Sequence, residues 1–352
     1  MSVTRTNGKA RIAILASQDS AAWAGVAAAV PAGIADRLDA LGKIAGAGGV
    51  VQYSAEERPQ AILVGQRRPG AAMMRIALSW TASSFVAADR LRLLEALEKE
   101  AFGQGVLCLR ADTAPSVGGQ WQSMNGYLER WIGVEPARPR KGVPPSWPQT
   151  AGFTCGPSAL AMAMAGIDQS LRPDRTLEVE LWREATTIVG PNGPGGCDPF
   201  GLALAAHRRG LRCQVLMSSA GPIFLDRAST EQKRSLMEFV QTGFRHQALI
   251  SGISVADHAF SLGELNQALD RGLMALVLID QQPMMGYTCP HWVLVHGRGD
   301  GIYFLNDPWI EPDRLEQAMD VVDLPVTAVE FDGMAWYGSP PYRAAVLIGS
   351  AN

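Results

Sequence analysis

The chain has 352 residues, of which 47% are apolar, and 31 basic against 34 acidic side chains leave a net charge of -3. A length beyond one typical core points to two domains, and the apolar share excludes an intrinsically disordered chain. So even a balance of charge builds no field for nucleic acid, which leaves peptides or proteins as the expected partners.

The 5 cysteines, Cys108, Cys155, Cys197, Cys213 and Cys289, are an odd and scattered set without a C-x-x-C pair. Neither a disulfide framework nor a metal site is expected, and reduced thiols in a cytoplasmic protein are the simpler reading. The early apolar stretch, residues 12–16, is short and runs into Ser17, Gln18 and Asp19, so no secretory signal is expected. No apolar run approaches the length of a membrane span.

Strands are expected at residues 11–16, 49–53, 61–64, 73–79 and 106–110, with helices interspersed. A helix is expected over 87–102, where Leu91, Leu94, Ala96 and Leu97 share a face and Gly103 and Gly105 mark the stop. The spacing of Met124, Tyr127, Leu128 and Trp131 suggests another over 120–131. Residues 1–135 thus read as a mixed α/β domain. Residues 136–148, with 5 prolines and the basic Arg138, Arg140 and Lys141, read as a linker to a domain spanning 149–352.

In that second domain helices are expected at 156–165, 177–186 and 199–209. The last has Asp198 as N-cap and Pro199 at the first helical position, and Ser261 with Glu264 makes a capping box for a further helix. Strands follow at 273–279, 291–297 and 302–306, with 298–301 as a hairpin turn. Helices followed by a sheet make an α+β arrangement.

The chemistry gathers on this frame. Cys155 stands at a helix start, where unsatisfied N–H groups and the helix dipole favour a thiolate. Gly156 permits close backbone approach, the Cys155 amide can donate to an oxyanion, and Gln149 can supply a second donor from its side chain. Antiparallel pairing across a four-residue turn brings His291 opposite Asp307 or Pro308, so an imidazole can be oriented by a carboxylate while its other nitrogen faces the thiol. Each residue alone has a plainer reading: a buried thiol, a structural histidine, a turn-forming Asp-Pro. Their co-occurrence carries the argument. A one-residue register slip would bring Asn306 to His291 instead, and His296 is an alternative base expected on the opposite face of the sheet. Cys197 is a candidate second thiol beside the site, with the Gly/Pro-rich residues 191–196 as a cleft wall. Trp182, Trp292 and Trp309 are cleft or core candidates. Glu184, His207, His246 and His258 read as structural.

Residues 149–164, then Pro290-His-Trp-Val-Leu-Val and Asn306-Asp-Pro-Trp, resemble the family thirty-nine peptidases, papain-like enzymes named for processing bacteriocin leaders. The resemblance spans about 147–348, and residues 181–187 and 195–206 look like one bacterial subgroup. It implies Cys155 as nucleophile, His291 as general base and later acid, Asp307 as orienting residue and Gln149 as oxyanion donor. In that subgroup the peptidase follows a GNAT-type acyltransferase domain, and residues 72–132 look like the later part of such a fold. The place for a pyrophosphate-holding Gly-rich turn reads Ser83-Ser-Phe-Val-Ala-Ala-Asp-Arg, without glycine, so the domain is expected to be degenerate.

The whole expectation is a cysteine peptidase or amidase without cofactor, working through a thioester on a peptide or protein, with a precursor peptide and peptide maturation in view. The alternatives are acyl transfer through the same thioester and a non-catalytic peptide-binding module.

Overall fold

A computed structural model describes residues 11–17, 19–86, 89–116, 118–124, 126–133, 136, 142–187 and 195–351. Of the expected linker, residues 137–141 lie outside these. The backbone divides into one unit of Met1–Glu135 with Glu311–Asp320, and a second of Pro136–Ile310 with Val321–Asn352.

Assignment of Glu311–Asp320 to the first unit departs from the sequence reading, which keeps it in the second domain. The reason is ionic. Arg68 pairs with Glu316 at 2.8 Å and Arg75 Nε with Asp320 at 2.8 Å, while Arg110 donates to the Met319 carbonyl at 2.8 Å. All three arginines are buried. Nothing in the composition of residues 311–320 marks them as belonging to another core.

The first unit runs β1 (Arg11–Leu15), α1 (Ser20–Ala27), α2 (Ala32–Leu41), β2 (Ala47–Tyr53), β3 (Pro59–Arg67), β4 (Met73–Thr81), α3 (Arg90–Gly103), β5 (Cys108–Ala111), β6 (Gln122–Ser123) and β7 (Leu128–Trp131). Its sheet has the order β1-β2-β3-β4-β5-β7-β6, parallel only where β4 meets β5 among the described pairings. Strand alternation sends Val51, Ile62 and Val64 toward Trp23, Leu38 and Leu41 of α1 and the region of α2, and Val50, Ala61 and Leu63 toward Leu93, Leu94 and Leu97 of α3. Each face of the sheet therefore has its own helical cover.

Residues 120–131 form the two strands β6 and β7, not the expected helix. Gly126 has φ of 92°, and Met124 donates its N–H to the Tyr127 carbonyl at 2.8 Å, closing a turn. Strand β7 then completes the edge of β5, burying Glu129 against Arg110 at 3.1 Å. The helical spacing of the apolar residues yields to that ladder and ion pair.

The second unit runs α4 (Cys155–Ile167), α5 (Arg175–Ala185), α6 (Pro199–His207), β8 (Leu211–Met217), α7 (Glu231–Ile250), β9 (Ser254–Ala256), α8 (Leu262–Asp270), β10 (Met274–Asp280), α9 (Gln282–Met285), β11 (Pro290–Gly299), β12 (Ile302–Asn306), β13 (Leu324–Thr327), α10 (Ala328–Met334) and β14 (Ala344–Ser350). The sheet order is β13-β12-β11-β10-β14-β8-β9. Helix α4 is built of Ala, Met, Leu and Gly and is buried from Gly156 to Ala165, as suits a helix apolar on every side. It packs with α6 and Leu276, Leu278 and Leu294 of the sheet in one core. The order of helices first and sheet afterwards needs correction, because β8 enters the sheet before α7.

Asp320→Ala should destabilise the protein by about 3–5 kcal/mol, because the Arg75 guanidinium would be left buried without its carboxylate. Chemical denaturation checks this, and a loss below about 1 kcal/mol would show that Glu311–Asp320 is not anchored by that pair.

Candidate functional site

Cys155 is the first residue of α4, half-buried, and held against the sheet by Gly156. A methyl group on Gly156 would come within 3.2 Å of Cys197, Leu202 and Trp292 at once, so glycine is what lets the helix start approach this closely. Cys155 Sγ hydrogen-bonds the His291 ring. Burial pushes its thiol up, but that bond, the His291 charge, and the N–H groups of Trp292 and Gly156 together bring it below the usual thiol value.

His291 Nε2 lies 2.7 Å from Asp307 Oδ1, leaving Nδ1 as the nitrogen for the sulfur. Both residues are buried. Burial pulls His291 down, yet the Asp307 charge and hydrogen bond, followed by those of Cys155, raise it to about 10. Asp307 also accepts from the Trp309 N–H at 2.8 Å, and its own N–H donates to the Val321 carbonyl at 2.8 Å.

The pairing that produces this contact differs from the expected one. Strands β11 and β12 are joined through Asp300 and Gly301, with φ of 47° and 79°, so the turn is two residues long. A shift between Val295 and Gly297 then offsets the ladder, and Leu294 pairs with Asn306. Continuing that register puts Asp307 opposite Val293, with His291 two residues further along the same face. The pair is thus diagonal rather than directly opposed, within reach of long side chains.

Above these groups lies a cleft of about 290 Å³. Its lining includes Phe153, Cys155, Cys197, Cys289 and Trp292, with Gly195 and Gly196 forming part of one wall. Trp182 donates to the Gly195 carbonyl at 2.9 Å and Thr187 to that of Gly196 at 3.0 Å, which pins this wall. The rest of the expected wall, residues 191–194, lies outside the described residues. The Trp182 and Phe153 rings meet tilted with centroids 5.1 Å apart, Trp292 is a core residue that also lines the cleft, and Trp309 contributes its backbone to Asp307.

The other sequence candidates separate cleanly. Asn306 donates to the Pro144 carbonyl at 3.0 Å and accepts from the Asp323 N–H at 2.8 Å, so its amide is committed away from His291. His296 is buried at the ladder shift with Nε2 3.6 Å from Asp323 Oδ1. Cys197 is buried beside Cys155, and burial, the Cys155 charge and Asp198 push its thiol far up. Gln149 is tied by its N–H to the Pro308 carbonyl at 2.8 Å, while Nε2 donates to Ala151 O at 2.7 Å. One amide hydrogen of its two is therefore already used. Glu184 pairs with Arg209 and Arg208, and His258 with Glu264; His207 and His246 are exposed.

Two contributors escape sequence reasoning. Glu178 is buried on α5 and accepts from Trp147 Nε1 at 2.9 Å and from the Thr150 N–H at 2.8 Å, fixing the strand-like run that carries Gln149. Only its three-residue offset from the helix start hinted at anything, and that reads as ordinary first-turn acidity. Cys289 lines the cleft next to Pro290, a placement set by the fold and without a local signature.

A thiol at a helix start, a buried imidazole and an orienting carboxylate define a cysteine–histidine–aspartate constellation on an α+β domain. The chain belongs to the Peptidase_C39 like family, whose pattern matches residues 144–349. That family gives the second domain a peptidase-like character. No curated protein matches the chain.

Solved structures similar to it include GNAT acetyltransferases, each matching about a third of the chain, and a tandem GNAT protein that matches more of it. An aminoglycoside 6'-acetyltransferase type Ii is 10% identical, covering 36% of this chain and 99% of its own, with a TM-score of 0.29. A GNAT family acetyltransferase from Staphylococcus aureus is 9% identical, covering 34% and 99%, at 0.26. A tandem GNAT protein from the clavulanic acid biosynthesis pathway is 12% identical, covering 84% and 74%, at 0.24. In this chain the segment entering α3 has no glycine and places Asp89 at the N-cap, paired with Arg92 at 3.3 Å.

Asp198 caps α6, accepting from Phe200 and Gly201, and burial raises its carboxyl to about 7 against those two bonds. A raised folded-state value means that its stability contribution is full below about 3.8 and is lost as pH rises through about 7. Asp198→Asn keeps an acceptor and should flatten the stability profile across that window, whereas Asp198→Ala should cost about 1 kcal/mol by removing the cap. Thermal melts of the three proteins from acid to neutral pH check both outcomes.

Proposed function

We propose that this protein is a cysteine peptidase or amidase that cleaves a peptide or amide bond through a thioester on Cys155. The observation carrying this reading is the pairing of a lowered Cys155 thiol with a His291 raised to about 10 by buried Asp307. Those shifts favour a thiolate–imidazolium pair, the form in which sulfur attacks and the ring already holds the proton that the leaving group needs.

In the proposed course Cys155 Sγ attacks the carbonyl carbon, and the electron pair of the C=O moves to oxygen. The Cys155 N–H, which as the first of the helix has no partner four residues back, receives that oxyanion together with the second Nε2 hydrogen of Gln149. His291 passes its proton to the amine as the C–N bond breaks. Water then loses a proton to His291 and attacks the thioester, releasing the acid and regenerating Cys155. Asp307 keeps the imidazolium charged and oriented throughout. A short precursor peptide in the cytoplasm fits the reading as substrate.

The pair forms as Cys155 ionises and collapses when His291 loses its proton near pH 10, so kcat/KM should be bell-shaped with that alkaline limb. In Asp307→Asn the charge that raises His291 is gone, and the alkaline limb should move to lower pH. Cys155→Ala should abolish turnover, and Gln149→Ala should lower kcat by about 10²–10³-fold. Peptide hydrolysis by wild type and variants, with mass spectrometry for an adduct on Cys155, tests this. Equal cleavage by Cys155→Ala would sink the proposal, and amide products formed with added amines would redirect it to acyl transfer.

A further inference from the structure

We infer that Arg227 and Lys233 form an anion subsite in the cleft, so that the substrate of Cys155 carries a carboxylate close to the bond that reacts. This rests on the peptidase reading and names its substrate class.

Both cations line the same cleft as Cys155, and no Asp or Glu is among the described residues lining it. Arg227 ends a short 3-10 helix, Leu225–Arg227, and its guanidinium donates to Tyr337 Oη at 3.5 Å, with Cys289 beside it in the cleft lining. Neither neighbour is a carboxylate, so the group is fixed to the wall without an Asp or Glu to pair with it. Lys233 stands in the first turn of α7, where the positive end of the helix dipole makes a cation unfavourable. Its backbone N–H bonds the Thr230 side chain, and no described carboxylate pairs with its ammonium.

The acids nearby are turned elsewhere. Asp226, next in sequence to Arg227, lines a separate concavity with Arg234 and Tyr342. Asp198 is buried as the cap of α6, and the sequence of residues 188–194 contains no Asp or Glu. The Cys155 thiolate, the His291 imidazolium and the buried Asp307 carboxylate sum to one negative charge, against which Arg227 and Lys233 set two positive ones on the wall of a cleft of about 290 Å³. Two cations held apart from their own anions, against an aromatic and glycine wall, match an aspartate or glutamate side chain or a terminal carboxylate.

The test uses the full chain and two alkylating agents of nearly equal size, anionic iodoacetate and neutral iodoacetamide, with labelling of Cys155 followed by peptide mass mapping. The ratio of the two rates reports the field at the sulfur whether or not any peptide is turned over. In Arg227→Gln/Lys233→Gln that ratio should fall by about tenfold, and Arg227→Lys should keep it. Added salt should lower the ratio in wild type and leave it nearly flat in the double variant. An unchanged ratio would overturn the inference while leaving the peptidase reading intact.

Peptide substrates supply the second arm. Matched peptides with an internal Glu, with Gln in its place, and with a free or amidated C-terminus separate the two carboxylate sources. Preference for Glu assigns a side-chain subsite, preference for the free terminus assigns a terminal one, and indifference to both refutes the subsite. Absence of all cleavage together with a charge-dependent alkylation ratio would reject the peptidase reading and keep the anion subsite.

Discussion

Two buried ionisable groups, His291 and Asp307, set the terms for the second domain. Burying an imidazolium and a carboxylate is costly unless their geometry is good and their remaining hydrogen-bonding capacity is met. Here the 2.7 Å contact is flanked by the Trp309 N–H on the same carboxylate oxygen and by the anchoring of Asp307 to Val321. The neighbouring Asn306 ties the end of β12 to Pro144 and Asp323, so the carboxylate cannot drift. Pro308 in turn holds the backbone of Gln149, which links Asp307 to the segment before Cys155 through a single peptide unit.

The consequence for chemistry is seen in the contrast of two thiols. Cys155 and Cys197 are close enough for the charge of one to disfavour ionisation of the other. Cys155 has an imidazole, two amides and partial exposure, and its ionisation becomes easier. Cys197 has burial and the neighbouring Asp198, and its ionisation becomes harder. The same element type in nearly the same place is thus made reactive or inert by its partners alone. A cleft with Arg227 and Lys233 on its walls adds a preference of charge to that reactivity.

Much of this was legible before any coordinates. The helix start at Cys155, the Asp198 and Ser261 caps and the β11–β12 hairpin are local signals, because each depends on residues within a few positions. The register was not legible, since a two-residue turn and a ladder shift at His296 change the pairing sum while leaving the pattern of apolar residues almost unaltered. The residues 120–131 misled because their apolar spacing suits a helix, and only the open edge of β5 and buried Arg110 decide for strands. Glu178 was invisible for a similar reason: what it holds, Trp147 and Thr150, lies on another element.

Between Asp307 and β13 the chain leaves its own domain for ten residues, Glu311–Asp320, whose charges are answered by Arg68 and Arg75. A gene cut at residue 135 would yield a C-terminal fragment still carrying a piece of the other core, and an N-terminal fragment lacking it. A cut at that position is therefore a poor boundary for exchanging either unit.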